Sequence, residues 1–253
     1  MTTAVDSATR TREPALLGQT VVVLGGSSGI GLETARRARA EGAEVVLTGR
    51  NPERLRRAAA DVGARSHDVF DAHDPDRLDA FFRSLPAPVD HVMVTAGGPY
   101  YAPLAEMDVP KARGYVAEHV GLILQVAQQV RTTVRPGGTL LLMGGTGGRR
   151  PAIGISLTAL LTAGLPALTA NLALELAPVR VNLIAAGFVN TPLSATLLGD
   201  GLDARREELR TTLPIRRVIE PEDIATLALH LMTNTALTGG TYDIDGGQQL
   251  VAN

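Results

Sequence analysis

This 253-residue chain has no cysteine, and its only lysine is Lys111. Without cysteine there are no disulfides, no thiol nucleophile and no thiolate-bound metal. The formal net charge of −2 excludes the strongly basic character typical of nucleic-acid-binding domains. A composition of 45% hydrophobic and 20% charged residues is that of an ordinary globular domain, and excludes a disordered or collagen-like chain. We expect a cytoplasmic protein that does not bind nucleic acid.

Two segments bear on targeting and membranes. Residues 1–14 are polar with mixed charge and have no apolar stretch, so we predict a flexible N-terminal leader and not a signal peptide. Residues 151–174 form a long uncharged run, but Gly154, Gly164 and Pro166 interrupt it. We therefore predict a buried helix, which a subunit interface could cover, and no membrane span.

Short β-branched runs alternate with longer helical segments along the chain. Strands are predicted at residues 20–24, 44–48, 91–95, 139–143, 179–184 and 241–244. Helices are predicted at residues 30–41, 52–62, 111–134, 159–177 and 222–232. This pattern predicts a single Rossmann-like domain over residues 15–253, a doubly wound parallel sheet in a three-layer α/β/α arrangement. Residues 188–214 are predicted to be an irregular, mobile lid.

A glycine-rich turn follows the first predicted strand. Gly25, Gly29 and Gly31 stand where the strand gives way to a helix. Glycine there allows positive φ and a close approach of the backbone to a diphosphate, and the helix start offers free N–H groups. The arrangement predicts a dinucleotide site; an ordinary glycine turn without a ligand is the alternative.

The end of the second strand bears on the choice between NAD and NADP. NAD sites usually place a carboxylate there, which binds the ribose 2′-hydroxyl. Here Gly49, Arg50 and Asn51 occupy the position instead. A guanidinium pairs well with a 2′-phosphate, so NADP(H) is favoured, unless Arg50 is simply a surface arginine.

Several further motifs, in the same order, resemble the short-chain dehydrogenase/reductase family. They are the Asp68-Val69 pair, the turn Thr95-Ala96-Gly97, the segment 179–192 with Thr191, and residues 221–225 and 245–247. The resemblance implies a nicotinamide-dependent oxidoreductase that forms homodimers or homotetramers through the helices at 111–134 and 159–177. The predicted cofactor-binding residues are Gly25, Ser27, Ser28, Gly29, Ile30, Gly31, Arg50, Asn51, Asp68, Val69, Ala96, Gly97, Gly98 and Thr191.

The catalytic residues of that family are missing. Its tyrosine, the lysine four positions later and its serine align with Thr158, Thr162 and Gly145. No shift of the alignment restores the pair, because Met107 stands four residues before the only lysine. A threonine hydroxyl is far too weak an acid to replace a tyrosine whose pKa an ammonium depresses.

Three residues are candidates for the missing proton transfer. His119 stands at the position of the family's asparagine, and imidazole exchanges protons near neutral pH. Thr158 is a candidate donor to a carbonyl oxygen, and Tyr101 lies in a loop suited to shaping a substrate pocket. Structural roles in packing are the alternative for each. No histidine and carboxylate grouping has the spacing of a metal site.

Three functions stay open at this point. The first is an NADP(H)-dependent oxidoreductase acting on a small carbonyl or alcohol through a non-standard catalytic site. The second is a catalytically silent NADP-binding regulatory or partner protein. The third is a redox-neutral isomerase or dehydratase built on the same scaffold.

Overall fold

The computed structural model describes residues 13–86 and 88–251. Residues 1–12, and with them most of the predicted leader, lie outside this part. Seven strands form one parallel sheet in the order β3-β2-β1-β4-β5-β6-β7. Their bounds are β1 Thr20–Leu24, β2 Glu44–Gly49, β3 Ser66–Val69, β4 Val89–Val94, β5 Val134–Gly145, β6 Arg180–Ala186 and β7 Thr241–Ile244. The predicted doubly wound α/β fold is confirmed.

Eight α-helices are described, and six of them cover the two faces of the sheet. The helices are α1 Gly29–Ala40, α2 Pro52–Val62, α3 Pro75–Ser84, α4 Val109–Thr133, α5 Ser156–Glu175, α6 Pro192–Leu198, α7 Leu202–Thr212 and α8 Pro221–Thr233. One core lies between the sheet and α3, α4 and α5, and the other between the sheet and α1, α2 and α8. Strands β1, β4 and β6 are buried along their whole length, which explains why apolar residues predominate in them.

The prediction of an irregular segment at residues 188–214 is wrong in its local structure. Helices α6 and α7 occupy most of it. Thr191 and Ser194 form a capping box that starts α6, and Pro192 stands in its first turn. Apolar spacing is weak in α7, where only Leu209 is buried, so the periodicity used for the other helices misses it.

Helix α5 differs from the buried helix predicted for this region. It is the one helix in the described residues that is long and apolar enough to cross a membrane. Only 22% of its apolar 18-residue stretch is buried inside the protein. Leu161, Leu165 and Leu172 face the core, whereas Leu160 and Leu174 are 60% and 80% exposed. The helix thus packs on the sheet with one side and leaves an apolar side uncovered.

A buried arginine joins the sheet to the last helix. Arg180 begins β6 and is only 5% exposed. Its guanidinium donates to the carbonyl oxygens of Leu231 and Met232, both at 2.7 Å. These bonds satisfy carbonyls at the end of α8 that have no partner within the helix.

Candidate functional site

The turn between β1 and α1 is built around its glycines. Gly25 and Gly29 have φ values of 94° and 53°. A Cβ on Gly25 would lie 2.8 Å from the Ala96 nitrogen, and one on Gly31 would lie 2.5 Å from the Gly25 oxygen. Thr95 Oγ1 donates to the Leu24 oxygen at 2.9 Å and ties the turn to the end of β4. The turn therefore has no room for side chains at these positions.

The start of α1 is prepared for an anion. Its N-cap residue, Ser28, makes no side-chain capping bond within the described residues, and the first turn carries no acidic side chain. The first N–H groups of a helix lack partners within the helix and lie at the positive end of its dipole. Together with the crowded glycine turn, this N-terminus fits the diphosphate of a dinucleotide.

A single cavity of about 750 Å³ extends from the glycine turn across the carboxyl ends of the strands. Its size is within the range of small-molecule sites, and its position is the usual one in open α/β sheets. Most of the predicted cofactor-binding residues line it, namely Gly25, Ser27, Ser28, Gly29, Ile30, Gly31, Arg50, Ala96, Gly97, Gly98 and Thr191.

Three predicted cofactor residues do not line this cavity. Asn51 is the N-cap of α2, and its Oδ1 accepts from the Arg54 nitrogen at 2.9 Å. Asp68 and Val69 lie within β3, and Asp68 Oδ1 is 3.4 Å from Arg77 Nη2. The cavity is lined instead by the residues that follow this strand, Phe70, Asp71, Ala72 and His73. A nucleotide contact of Asn51, Asp68 or Val69 stays a prediction.

Charges cluster at the end of the cavity beyond β2. Arg50 Nη1 lies 3.8 Å from Asp71 Oδ2, with the arginine side chain 70% exposed. Burial raises the pKa of the Asp71 carboxyl, but the His73 backbone N–H and ring outweigh it and bring that pKa below its usual range. Asp71 therefore stays charged and holds Arg50 beside the cavity. Arg54 lines the same end and was missed in the sequence because it lies beyond the end of β2, in the first turn of α2.

The positions that align with the catalytic motif hold short side chains already engaged in local bonds. Thr158 Oγ1 donates to the Tyr100 oxygen at 3.0 Å, and Thr162 Oγ1 donates to the Thr158 oxygen at 2.8 Å. Both threonines line the cavity. Each hydroxyl hydrogen is therefore already used in a bond to a backbone oxygen.

The glycine-rich segment after β5 packs directly against α5. A Cβ on Gly148 would lie 2.2 Å from Thr162 Oγ1 and 2.6 Å from Ala159 Cα. The next residue, Arg149, donates from Nη2 to Asp243 Oδ1 at 2.6 Å. The segment is thus held between helix α5 and strand β7.

His119 lines the cavity from α4. Its Nε2 is buried and has no hydrogen-bond partner among the described residues. Burial, followed by the nearby His73, lowers the pKa of His119, so the ring is mainly neutral at pH 7. A buried ring nitrogen without a protein partner beside a cavity is available to a ligand.

Tyrosines form the neighbouring wall. Tyr115 lines the cavity one turn before His119, with the two ring centroids 5.9 Å apart, and donates its hydroxyl to the Gly98 oxygen at 2.8 Å. Tyr101 also lines the cavity but is 54% exposed. Burial raises the pKa of Tyr101, so its phenol stays protonated at neutral pH. Tyr115 was missed from the sequence, although its spacing of four from His119 puts both on one helix face.

The comparisons with known proteins agree with this architecture. A family model described as Enoyl-(Acyl carrier protein) reductase matches residues 25–249. The chain belongs to the short-chain dehydrogenase/reductase family. Members of this family are oxidoreductases that bind nicotinamide cofactors, and the cavity described above lies where the glycine turn would receive one.

Two relatives show how far the likeness extends. Dehydrogenase/reductase SDR family member 4 of Sus scrofa is 32% identical and aligns over 93% of this chain and 89% of its own. MalC of Malbranchea aurantiaca, described as a reductase/Diels-Alderase, superposes with a TM-score of 0.87 at 25% identity, covering 94% of this chain and 99% of that one.

A further structural neighbour was solved with a cofactor. It is a small-chain dehydrogenase in complex with NADPH, with a TM-score of 0.79, 28% identity, and coverage of 92% of this chain and 99% of that one.

Proposed function

We propose that this short-chain dehydrogenase/reductase is an NADP(H)-dependent oxidoreductase that acts on a small carbonyl or alcohol, with His119 transferring the proton. The observation that carries the proposal is the single cavity joining the glycine turn to the buried, unpartnered Nε2 of His119. A dinucleotide held at the turn and a substrate beside His119 would share this space.

The preference for NADP(H) rests on the charge beyond β2. Arg50 and Arg54 line that end of the cavity, and no acidic residue stands at the end of β2 itself. Asp71, a carboxylate that an NAD ribose could otherwise use, is paired with Arg50 and His73. The NADPH complex of a neighbour is consistent with this choice. When bound, the cofactor supplies a hydride to a carbonyl carbon or accepts one from an alcohol.

Proton transfer is assigned to His119 because the other candidate groups either already donate a hydrogen bond within the protein or have a pKa too high for the role. Thr158 already donates to Tyr100, and burial raises the pKa of Tyr101. In alcohol oxidation, neutral His119 accepts the hydroxyl proton. In carbonyl reduction, protonated His119 gives the proton back to the oxygen, which requires a pH near its lowered pKa.

The pH dependence therefore has a definite sign in each direction. Because the pKa of His119 lies below 6.5, oxidation should be fully active above that pH and decline as pH falls through the pKa. Reduction should accelerate over the same fall in pH. Measuring both directions with one substrate pair checks the assignment.

The decisive experiment combines cofactor titration with a carbonyl panel. NADPH binding is measured by fluorescence and turnover by loss of NADPH absorbance. We expect His119→Ala to lower kcat by about 10²-fold or more with unchanged NADPH affinity. The control is His230→Ala, an exposed histidine near the end of α8. Turnover that survives His119→Ala undiminished contradicts the role of His119, and absence of NADPH binding contradicts the proposed function.

A redox-neutral reaction is the second candidate, and the engaged Thr158 and Thr162 hydroxyls favour it. MalC, whose description joins reductase and Diels-Alderase, indicates that a related scaffold is linked to both kinds of chemistry. This candidate would be favoured over the oxidoreductase if product forms without any change in NADPH absorbance and at the same rate with NADP⁺ as with NADPH.

Assembly and location complete the proposal. The exposed apolar side of α5, with Leu160 and Leu174, suits a contact with a second copy in a homodimer or homotetramer. We retain a cytoplasmic location as a prediction.

A further inference from the structure

Aromatic residues are scarce in this chain and unevenly placed. There are four phenylalanines, four tyrosines and no tryptophan. Phe81 and Phe82 of α3 pack in the core with Phe70, which also borders the cavity, and Phe188 lines the cavity as well. Three of the tyrosines lie instead at the His119 end of the cavity, so aromatic surface is concentrated where a substrate would bind.

Two of these tyrosines, Tyr100 and Tyr115, form a continuous row of rings with His119. The centroids of Tyr100 and Tyr115 are 5.4 Å apart, and those of Tyr115 and His119 are 5.9 Å apart, each pair tilted by 35°. Both distances lie within the range of favourable aromatic pairs. Tyr115 and His119 line the cavity, whereas Tyr100 packs against Tyr115 and is not among the lining residues.

The row is held in place before any ligand binds. The Tyr115 hydroxyl donates to the Gly98 backbone oxygen at 2.8 Å and fixes its ring, and the backbone carbonyl oxygen of Tyr100 accepts from Thr158 at 3.0 Å. A ring that is already oriented loses little further freedom when a ligand stacks on it. The arrangement is therefore a preorganised surface for a flat apolar group.

Apolar side chains of α6 complete this part of the cavity. Leu193 and Leu197 line it and are 47% and 45% exposed. Leu193 lies close to the tyrosine loop, since a Cβ on Gly98 would be 3.7 Å from its Cδ1. Arg205 also lines the cavity, but its Nη1 is 2.7 Å from Glu208 Oε2, which compensates its charge. The surroundings suit an uncharged ligand.

We infer that the substrate is an uncharged aryl carbonyl compound or the corresponding aryl alcohol, with its ring stacked on Tyr115. The inference rests on the proposed function and names its substrate class. Tyr115 is thereby a specificity residue, and the carbonyl oxygen of the stacked substrate would lie toward His119 Nε2.

The test compares acetophenone with cyclohexyl methyl ketone, which differ in the aromaticity of the ring. Binding is measured by calorimetry to protein loaded with NADP⁺, because an oxidised cofactor and a ketone do not react. We expect acetophenone to bind about 3- to 10-fold more tightly, the range given by one aromatic pair. Tyr115→Phe should keep this preference and Tyr115→Leu should remove it, with NADP⁺ affinity unchanged in both.

Two outcomes of the ketone comparison overturn the inference. One is equal affinity of the parent protein for the two ketones, and the other is an undiminished preference for acetophenone in Tyr115→Leu. Benzoylformate tests the charge, and tighter binding of this anion than of acetophenone would also overturn it. NADP⁺ and NADPH titrations distinguish a failure of the proposed function from a failure of the substrate inference. If neither cofactor binds, the proposed function fails, and the ketone pair is then compared on the cofactor-free protein, where the same two results decide the inference.

Discussion

Reversing the charge of Arg50 gives a direct measure of the NADP(H) preference. Arg50 lines the cavity beyond β2, and its nearest carboxylate is Asp71, 3.8 Å away. In Arg50→Glu, an attraction to the 2′-phosphate becomes a repulsion, whereas NADH has no phosphate at this position. The two cofactors should therefore respond unequally.

The expected size follows from Coulomb's law. Two unit charges about 5 Å apart in water interact by about 0.8 kcal/mol. Reversing one charge beside a phosphate of nearly two charges changes the interaction by about 3 kcal/mol, and salt at 0.15 M roughly halves it. High exposure of Arg50 justifies the dielectric of water. The Kd for NADPH should rise about 10- to 30-fold, and that for NADH by less than about 3-fold.

Fluorescence titration with NADPH and with NADH measures the fold-change in Kd for each cofactor. The matched control is Arg56→Glu, which makes the same charge change on an exposed residue of α2 outside the cavity lining. The difference should shrink in 1 M salt, where the screening length is about 3 Å. Equal fold-changes in Kd for NADPH and NADH in Arg50→Glu would refute the reasoning. So would a rise in the Kd for NADPH that is as large in Arg56→Glu.

Three further predictions concern the turn, pH stability and assembly. Gly31→Ala should abolish NADPH binding or lower the thermal midpoint by several degrees, because its Cβ would lie 2.5 Å from a backbone oxygen, whereas Gly201→Ala, with open space around it, should do neither. Burial lowers the pKa of His91 from 6.5 to about 4, so stability should be lost as pH falls from 6.5 towards 4, by about 3 kcal/mol, and urea midpoints should fall less steeply in His91→Gln. Leu160→Glu with Leu174→Glu should shift the protein to a lower oligomeric state in sedimentation measurements; an unchanged state would show that α5 is not the interface.

The sheet and the glycine turn were predictable because local patterns determine them. The apolar runs of β1 and β4 reflect burial on both faces, and the glycines of the turn mark positions where backbones nearly touch. The helix boundaries moved by a few residues, as for α4, which begins at Val109 and not at 111. Such shifts depend on caps, here Asp108 accepting from the Lys111 nitrogen, and not on hydrophobic spacing.

The walls of the cavity were less predictable because they join distant segments. The cavity-lining role of Asp71 and His73 depends on where β3 ends, and Arg180 reaches carbonyls more than 50 residues away. Helix α7 escaped prediction because only Leu209 is buried in it. In each case the decisive contact is tertiary, and neither spacing nor composition encodes it.

The contact between Gly148 and helix α5 has a consequence for protein engineering. The double substitution Thr158→Tyr and Thr162→Lys would not by itself recreate the tyrosine and lysine proton-transfer site of the family. A lysine at 162 would extend past the space that Thr162 now fills, beside a loop in which Gly148 packs against Thr162 and Arg149 is bonded to Asp243. Restoring that chemistry involves the loop as well as the helix, because the positions at which this chain departs from the family pattern, Gly145 and Thr162, lie next to each other.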